Sequence, residues 1–145
     1  KEYAGTVYYA RYILGQWQRA EGLVYPQFNP EKYITMDEPE SGVYYISVDY
    51  GTMNPFSAGL WCIHDGMATR VKEWYYNGRK LQRQKTDEEY YDAIVRLAGE
   101  HKIQAIVIDP SAASFIATIQ SHHVFRAQKA DNAVLDGKQQ LDQIQ

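Results

Sequence analysis

Val43-Tyr44-Tyr45-Ile46-Ser47-Val48-Asp49 is the stretch on which the fold turns. Its β-branched and aromatic residues predict a strand, and the strand ends on a carboxylate. Downstream, Phe56 to Ile63 predicts a second strand, closed by the turn His64-Asp65-Gly66. Met67 to Tyr76 predicts a third, alternating in part and closed by Asn77-Gly78. Three successive strands with a tight turn between the second and third predict an antiparallel meander.

The pattern then changes. Thr86-Asp87-Glu88-Glu89 reads as a capping box, in which the Thr hydroxyl caps a helix and Glu89 reaches back. Tyr90, Ile94, Leu97 and Ala98 follow on one helical face, and Gly99 weakens the last turn. Gln104-Ala105-Ile106-Val107-Ile108-Asp109 is nearly all apolar, as in a strand inside a sheet. Asp109-Pro110-Ser111 predicts the start of another helix with Pro at its first position, and Phe115, Ile116 and Ile119 give it a core face. A fifth strand is expected from His122 to Ala127. A last helix, capped by Asp131 or Asn132, is expected through Val134, Leu135, Leu141 and Ile144. The order β-β-β-α-β-α-β-α is an α/β chain with a mixed sheet, a meander followed by β-α-β units, flanked by helices expected on both faces. That order matches the ribonuclease H-like fold.

Upstream of Val43 the signals are weaker. Tyr8, Tyr9, Tyr12, Ile13 and Trp17 form an apolar stripe in a helical or irregular arm over 1–18. Residues 19–42 carry Gly22, Pro26, Pro30, Pro39 and Gly42, so they read as a linker with at most a short strand at Leu23-Val24-Tyr25. The expected boundary lies near Gly42, with an arm and linker over 1–42 and one α/β domain over 43–145. The N-terminus has neither a signal-peptide core nor a starting methionine, so the chain is expected to be a piece of something longer.

Composition bounds the possibilities. The chain has 145 residues, 45% of them hydrophobic and 23% charged, in the range of a soluble globular domain with a core of its own. No window approaches ~20 consecutive apolar residues, which excludes a membrane-spanning helix. One cysteine, Cys62, permits no internal disulfide and no cysteine-based zinc site. A reducing, cytoplasmic setting fits. A net charge of −3 shows no overall basic character, so contact with nucleic acid would need a local patch or metal ions.

Two aspartates stand out by position. Asp49 ends the first strand and Asp109 the fourth. In a ribonuclease H-like sheet these strands are neighbours, which brings both carboxylates to one spot. Two carboxylates so close repel unless neutralised, and Mg²⁺ or Mn²⁺ is the natural partner for hard oxygen ligands. Two such ions about 3.5–4 Å apart can activate water and stabilise the leaving oxygen of a phosphodiester. Each residue alone has a plainer reading, Asp109 as a helix cap and Asp49 as a turn residue. Paired on these two strands, they favour a site.

Asp49-Tyr50-Gly51-Thr52 also resembles the first phosphate loop of actin-like and sugar-kinase ATPases, so a nucleotide-binding piece of that kind is one alternative. A second alternative is a non-catalytic docking module. His64 and the pair His122-His123 could be ligands or proton carriers or simply turn and surface residues, and Cys62 reads as a small core residue. Arg70, Lys72, Arg79, Lys80, Arg83 and Lys85, interleaved with Trp74, Tyr75 and Tyr76, could contact a phosphate backbone or simply solvate a hairpin tip.

With these residues in hand, the chain resembles the large terminase subunit of tailed double-stranded-DNA phages, of the prophage-borne PBSX-like kind. Leu14-Gly15-Gln16-Trp17, Glu21-Gly22-Leu23-Val24-Tyr25 and Phe28 look like the segment joining the packaging ATPase to the nuclease. Residues 45–56, centred on Asp49, look like the first nuclease strand, and residues 106–116, centred on Asp109, like the second acidic motif. Residues 129–137 resemble the helix that follows.

The resemblance implies a two-metal endonuclease that cuts concatemeric phage DNA, using Mg²⁺ or Mn²⁺. Asp49 and Asp109 would be metal ligands and catalytic residues, with Asp49 bridging both ions. It also implies double-stranded DNA, the terminase small subunit and the portal protein as partners, in the cytoplasm of the bacterial host. The family uses a third acidic residue on a later helix. Asp131, Asp136 and Asp142 sit too close to the second motif to be that residue. The chain is therefore expected to lack the third ligand, and its metal binding is expected to be weak.

Overall fold

The computed structural model describes residues 29–35, 37–51 and 54–131. Two units divide between Asp37 and Glu38. Of the first, the described residues hold a short helix, α1 (Pro30–Tyr33), opened by an Asn29 side chain that accepts from the Glu31 N–H. The arm stripe and the strand expected at Leu23–Tyr25 lie outside the described residues, as does the last helix.

The second unit follows the expected order with β1 (Val43–Asp49), β2 (Phe56–His64), β3 (Met67–Tyr76), α2 (Asp87–Ala98), β4 (Ile103–Ile108), α3 (Ala113–Ser121) and β5 (Ala127–Lys129). These build one ribonuclease H-like mixed sheet, ordered β3-β2-β1-β4-β5. The meander is antiparallel, with Ile46 opposite Leu60 and Phe56 opposite Tyr76. β4 lies parallel beside β1, with Ile46 opposite Ile106 and Val48 opposite Ile108. β5 extends the parallel half, with Ile108 opposite Lys129.

The core follows from the two-residue period. Ile46 and Val48 of β1, Phe56, Ala58 and Leu60 of β2, and Ile106 and Ile108 of β4 are buried in one cluster. Tyr90, Ile94, Leu97 and Ala98 of α2 and Phe115, Ile116 and Ile119 of α3 close over it. Phe56 stacks on Tyr90 with ring centres 4.3 Å apart and meets Phe115 edge-on at 5.7 Å.

α2 and α3 therefore both cover the same face of the sheet, and the third helix of the expectation lies outside the described residues. The cause is handedness. The β3-α2-β4 and β4-α3-β5 crossovers advance in the same direction across the sheet, and right-handed crossovers of one direction share a face. On the opposite face, the Trp61 indole N–H donates to the Ser47 hydroxyl at 2.8 Å. The indole can lie there because residue 59 is glycine. A Cβ at that position would stand 2.9 Å from the indole nitrogen.

α2 starts as its sequence predicts. The Thr86 hydroxyl accepts from the Glu89 N–H at 3.3 Å, and the Thr86 N–H donates to the Glu89 carboxylate at 2.9 Å. Gly99 ends the helix at φ 55°, a left-handed conformation that glycine adopts without strain. Thr86→Ala is expected to cost about 1 kcal/mol, read as a shifted urea midpoint. The Thr86 N–H and then the Arg83 guanidinium hold the Glu89 carboxyl below its ordinary value. A depressed carboxyl contributes stability above its unfolded value and loses it as pH falls through the folded one. Acidification through the carboxylate range is therefore expected to lower the thermal midpoint. Glu89→Gln should flatten that dependence.

The region after β4 corrects two expectations. Pro110 does not open α3. The helix begins at Ala113 with Ala112 at its cap and no side-chain cap bond. Asp109 instead folds a turn ahead of it, its carboxylate accepting from the Ser111 N–H at 2.7 Å. His122 and His123 do not start the fifth strand, which runs only from Ala127 to Lys129. His122 ends α3, stacks on Tyr91 at 3.8 Å and meets the Glu88 carboxylate at 2.8 Å. His123 has φ 54°. This turn excludes strand geometry up to the residues just before Ala127.

Candidate functional site

β1 and β4 run side by side in the same direction, and their last paired residues are Val48 and Ile108. The residues that follow are Asp49 and Asp109. Neighbouring strands lie about 4.8 Å apart, so both carboxylates arise at the same end of adjacent strands in the same register. The Asp49 side chain is exposed and forms no hydrogen bond or ion pair among the described residues. Asp109 is half-buried, with one oxygen engaged by the Ser111 N–H.

The donor set suits a hard cation. Mg²⁺ is commonly held by one or two carboxylates, the remaining positions being filled by water and substrate phosphate oxygens. Among the described residues no group of three or more His, Cys, Asp or Glu gathers as a metal cage. The arrangement is thus two carboxylates at adjoining strand ends, one exposed and one half-buried.

A Cβ on Gly51 would collide with the Asn54 carbonyl oxygen, so only glycine lets the chain turn back so closely. Tyr50 continues the two-residue alternation of Ile46 and Val48 and enters the helix layer. Its hydroxyl donates to Asp87, the first residue of α2, at 2.6 Å. Its ring stacks on Phe115 of α3 at 5.4 Å. Burial first, and then the Asp87 carboxylate, push the Tyr50 phenol above its ordinary value. Neither Tyr50 nor Asp87 stood out as a site residue in the sequence. The available signal was the 46-48-50 alternation, which runs one residue past the strand.

The six basic residues are spread along β3 and the loop after it, several of them with acidic or aromatic partners. Arg70 pairs with Glu73 at 3.2 Å and lies over the Trp61 ring. Arg83 and Lys85 are drawn to Glu89, and Lys85 also sits 4.9 Å from the Tyr76 ring centre. Lys72 lines a shallow groove with Trp74, Arg96 and Leu97. Arg79 and Lys80 are exposed in the loop between β3 and α2. His64 bonds Thr69 at 3.1 Å, and Cys62 is fully buried, as its reading as core filler required.

Among solved structures, the chain is similar to the large terminase of a thermophilic bacteriophage. Against the form in complex with ADP it shares 43% identity, with a TM-score of 0.74, over 91% of this chain and 34% of that one. Against the form in complex with ATP-gamma-S the identity and both coverages are the same, and the TM-score is 0.75. The chain thus spans about a third of the length of those proteins. No protein-family model matches the sequence, and no curated protein matches it. Among the described residues, no helix is long and apolar enough to cross a membrane.

Proposed function

Because this chain belongs to the phage large-terminase family, we propose that its α/β unit is the DNA-cutting part of the packaging machinery rather than the nucleotide-driven motor. One observation carries the reading: the parallel β1–β4 register sets Asp49 and Asp109 at the same strand ends. A further point supports it. The sequence contains no glycine-rich phosphate loop ending in Gly-Lys-Ser or Gly-Lys-Thr, the element a packaging ATPase needs.

On this reading Asp49 and Asp109 are the residues that would hold Mg²⁺ or Mn²⁺. The metal, when bound, supplies a water activated at neutral pH and charge stabilisation for a phosphodiester. The protein residues do the rest. The two carboxylates repel each other until a cation offsets their charge, and their placement fixes where the phosphate is drawn. The Ser111 N–H orients the Asp109 carboxylate. Exposed Arg79 and Lys80, with Lys72, offer sites for flanking phosphates at modest, salt-sensitive strength. The substrate is concatemeric double-stranded DNA. The partners are the terminase small subunit and the portal, and the setting is the cytoplasm of the bacterial host.

The test is a calorimetric titration of Mn²⁺ into the chain, with and without short duplex DNA, beside a titration of ATP. Mn²⁺ binding strengthened by DNA, with no ATP binding, is the expected result. ATP binding without any Mn²⁺ site would overturn the reading.

A further inference from the structure

We propose that Tyr50 is a positioning residue for the carboxylate pair, a strut that ties the Asp49 strand end to the turn carrying Asp109. The metal chemistry of that pair rests on the function proposed above. The strut itself is argued from geometry alone.

Tyr50 follows Asp49 directly, so its side chain is one peptide away from that carboxylate. Its phenol reaches the first turns of both helices. The hydroxyl donates to Asp87 Oδ1 at 2.6 Å at the start of α2, and the ring meets Phe115 in the first turn of α3. The ring stacks on Phe115, nearly parallel at 14°, and meets Phe56 and Tyr90 edge-on at 6.1 and 6.0 Å. α3 is joined to Asp109 by a short turn, closed by the Ser111 N–H on the Asp109 carboxylate and the Ala112 N–H on the Asp109 carbonyl at 3.1 Å.

Below the aspartates, β1 and β4 are locked by Val48 opposite Ile108. Beyond that pair the ladder stops. The stack of Tyr50 on Phe115 continues the link from the Asp49 side to the helix that follows the Asp109 turn, and the hydrogen bond to Asp87 holds the ring in that stack. A hydrogen bond to a carboxylate is among the stronger neutral-to-charged contacts and is directional, so it fixes orientation as well as proximity.

The Ser111 and Ala112 amides both donate to Asp109 and report its placement without any metal. In Tyr50→Phe, which keeps the ring and removes the hydroxyl, their hydrogen exchange by NMR is expected to accelerate by about tenfold. The Ile106 amide, bonded to the Arg126 carbonyl at 2.8 Å, should keep its rate. Asp87→Ala should reproduce the effect, and Asp87→Asn, which keeps an acceptor oxygen, should largely restore it. Unchanged Ser111 and Ala112 rates would overturn the proposal. Equal acceleration at Ile106 would overturn it too, since Tyr50 would then be ordinary core. A Mn²⁺ titration of the same variants separates this from the function. Local acceleration in a chain that binds no Mn²⁺ would keep the strut and discard the metal site. Where Mn²⁺ binds, Tyr50→Phe should weaken it by about tenfold to a hundredfold, as loss of a residue supporting a ligand does.

Discussion

Asp49→Asn and Asp109→Asn are each expected to remove the heat of Mn²⁺ binding, lowering affinity by at least about a hundredfold. Loss of a residue that only supports a ligand already costs about 10–100-fold, and loss of a charged ligand costs more. Asparagine is the informative replacement because it keeps size and shape. At position 109 it also keeps an oxygen able to accept from the Ser111 N–H, so the turn ahead of α3 survives. At position 49 the side chain is exposed, so the fold should change by no more than about 0.5 kcal/mol. A lost metal signal on an unchanged urea midpoint would then belong to charge alone. Binding that survives both substitutions would place the ions elsewhere and end the nuclease reading for this pair.

Phe56→Ala is expected to bring the largest loss of stability, about 3–5 kcal/mol. Phe56 is fully buried at the start of β2, ringed by Tyr50, Trp74, Tyr90 and Phe115. Those neighbours come from the loop after β1, from β3 and from both helices, so no single element can move to fill the void. Typical domains are stable by only about 5–15 kcal/mol, so this variant would stand near the edge of folding. A lowered urea midpoint with an unchanged slope would read as that loss. Val124→Ala, at a position 67% exposed, is the control and should stay within about 0.5 kcal/mol. A loss below about 1 kcal/mol for Phe56→Ala would mean the aromatic cluster is not the packing centre.

Much of this was legible in the residues. The strand over Val43–Asp49 and the meander after it follow from β-branched and aromatic runs broken by Asp65-Gly66. The start of α2 follows from Thr86 and Glu89, because capping is local chemistry with a fixed spacing. The fold family and the pairing of the strands of Asp49 and Asp109 followed from element order. What escaped was set by tertiary geometry. Asp109-Pro110 carries a helix-start signal, yet the Asp109 carboxylate bonds the Ser111 N–H and delays the helix to Ala113. His122 looked free to join a strand, but Tyr91 and Glu88 on another element hold it in a turn. The common face of α2 and α3 depends on crossover direction, which no local pattern encodes. Tyr50 did not stand out because its partners, Asp87 and Phe115, are far away in the chain.

The order of pairing in the sheet also bears on how the chain reaches this state. β2 and β3 meet across a two-residue turn, so their ladder can close within microseconds of collapse. β1 and β4 meet only after the meander, the loop of 77–86 and all of α2 lie between them, and parallel pairing across so long a separation is slow. The aspartates sit at the far end of that late ladder. A chain caught partway through folding would hold its hairpin and yet have no paired carboxylates. On the proposed function, competence would then follow β1–β4 pairing rather than closure of the hairpin.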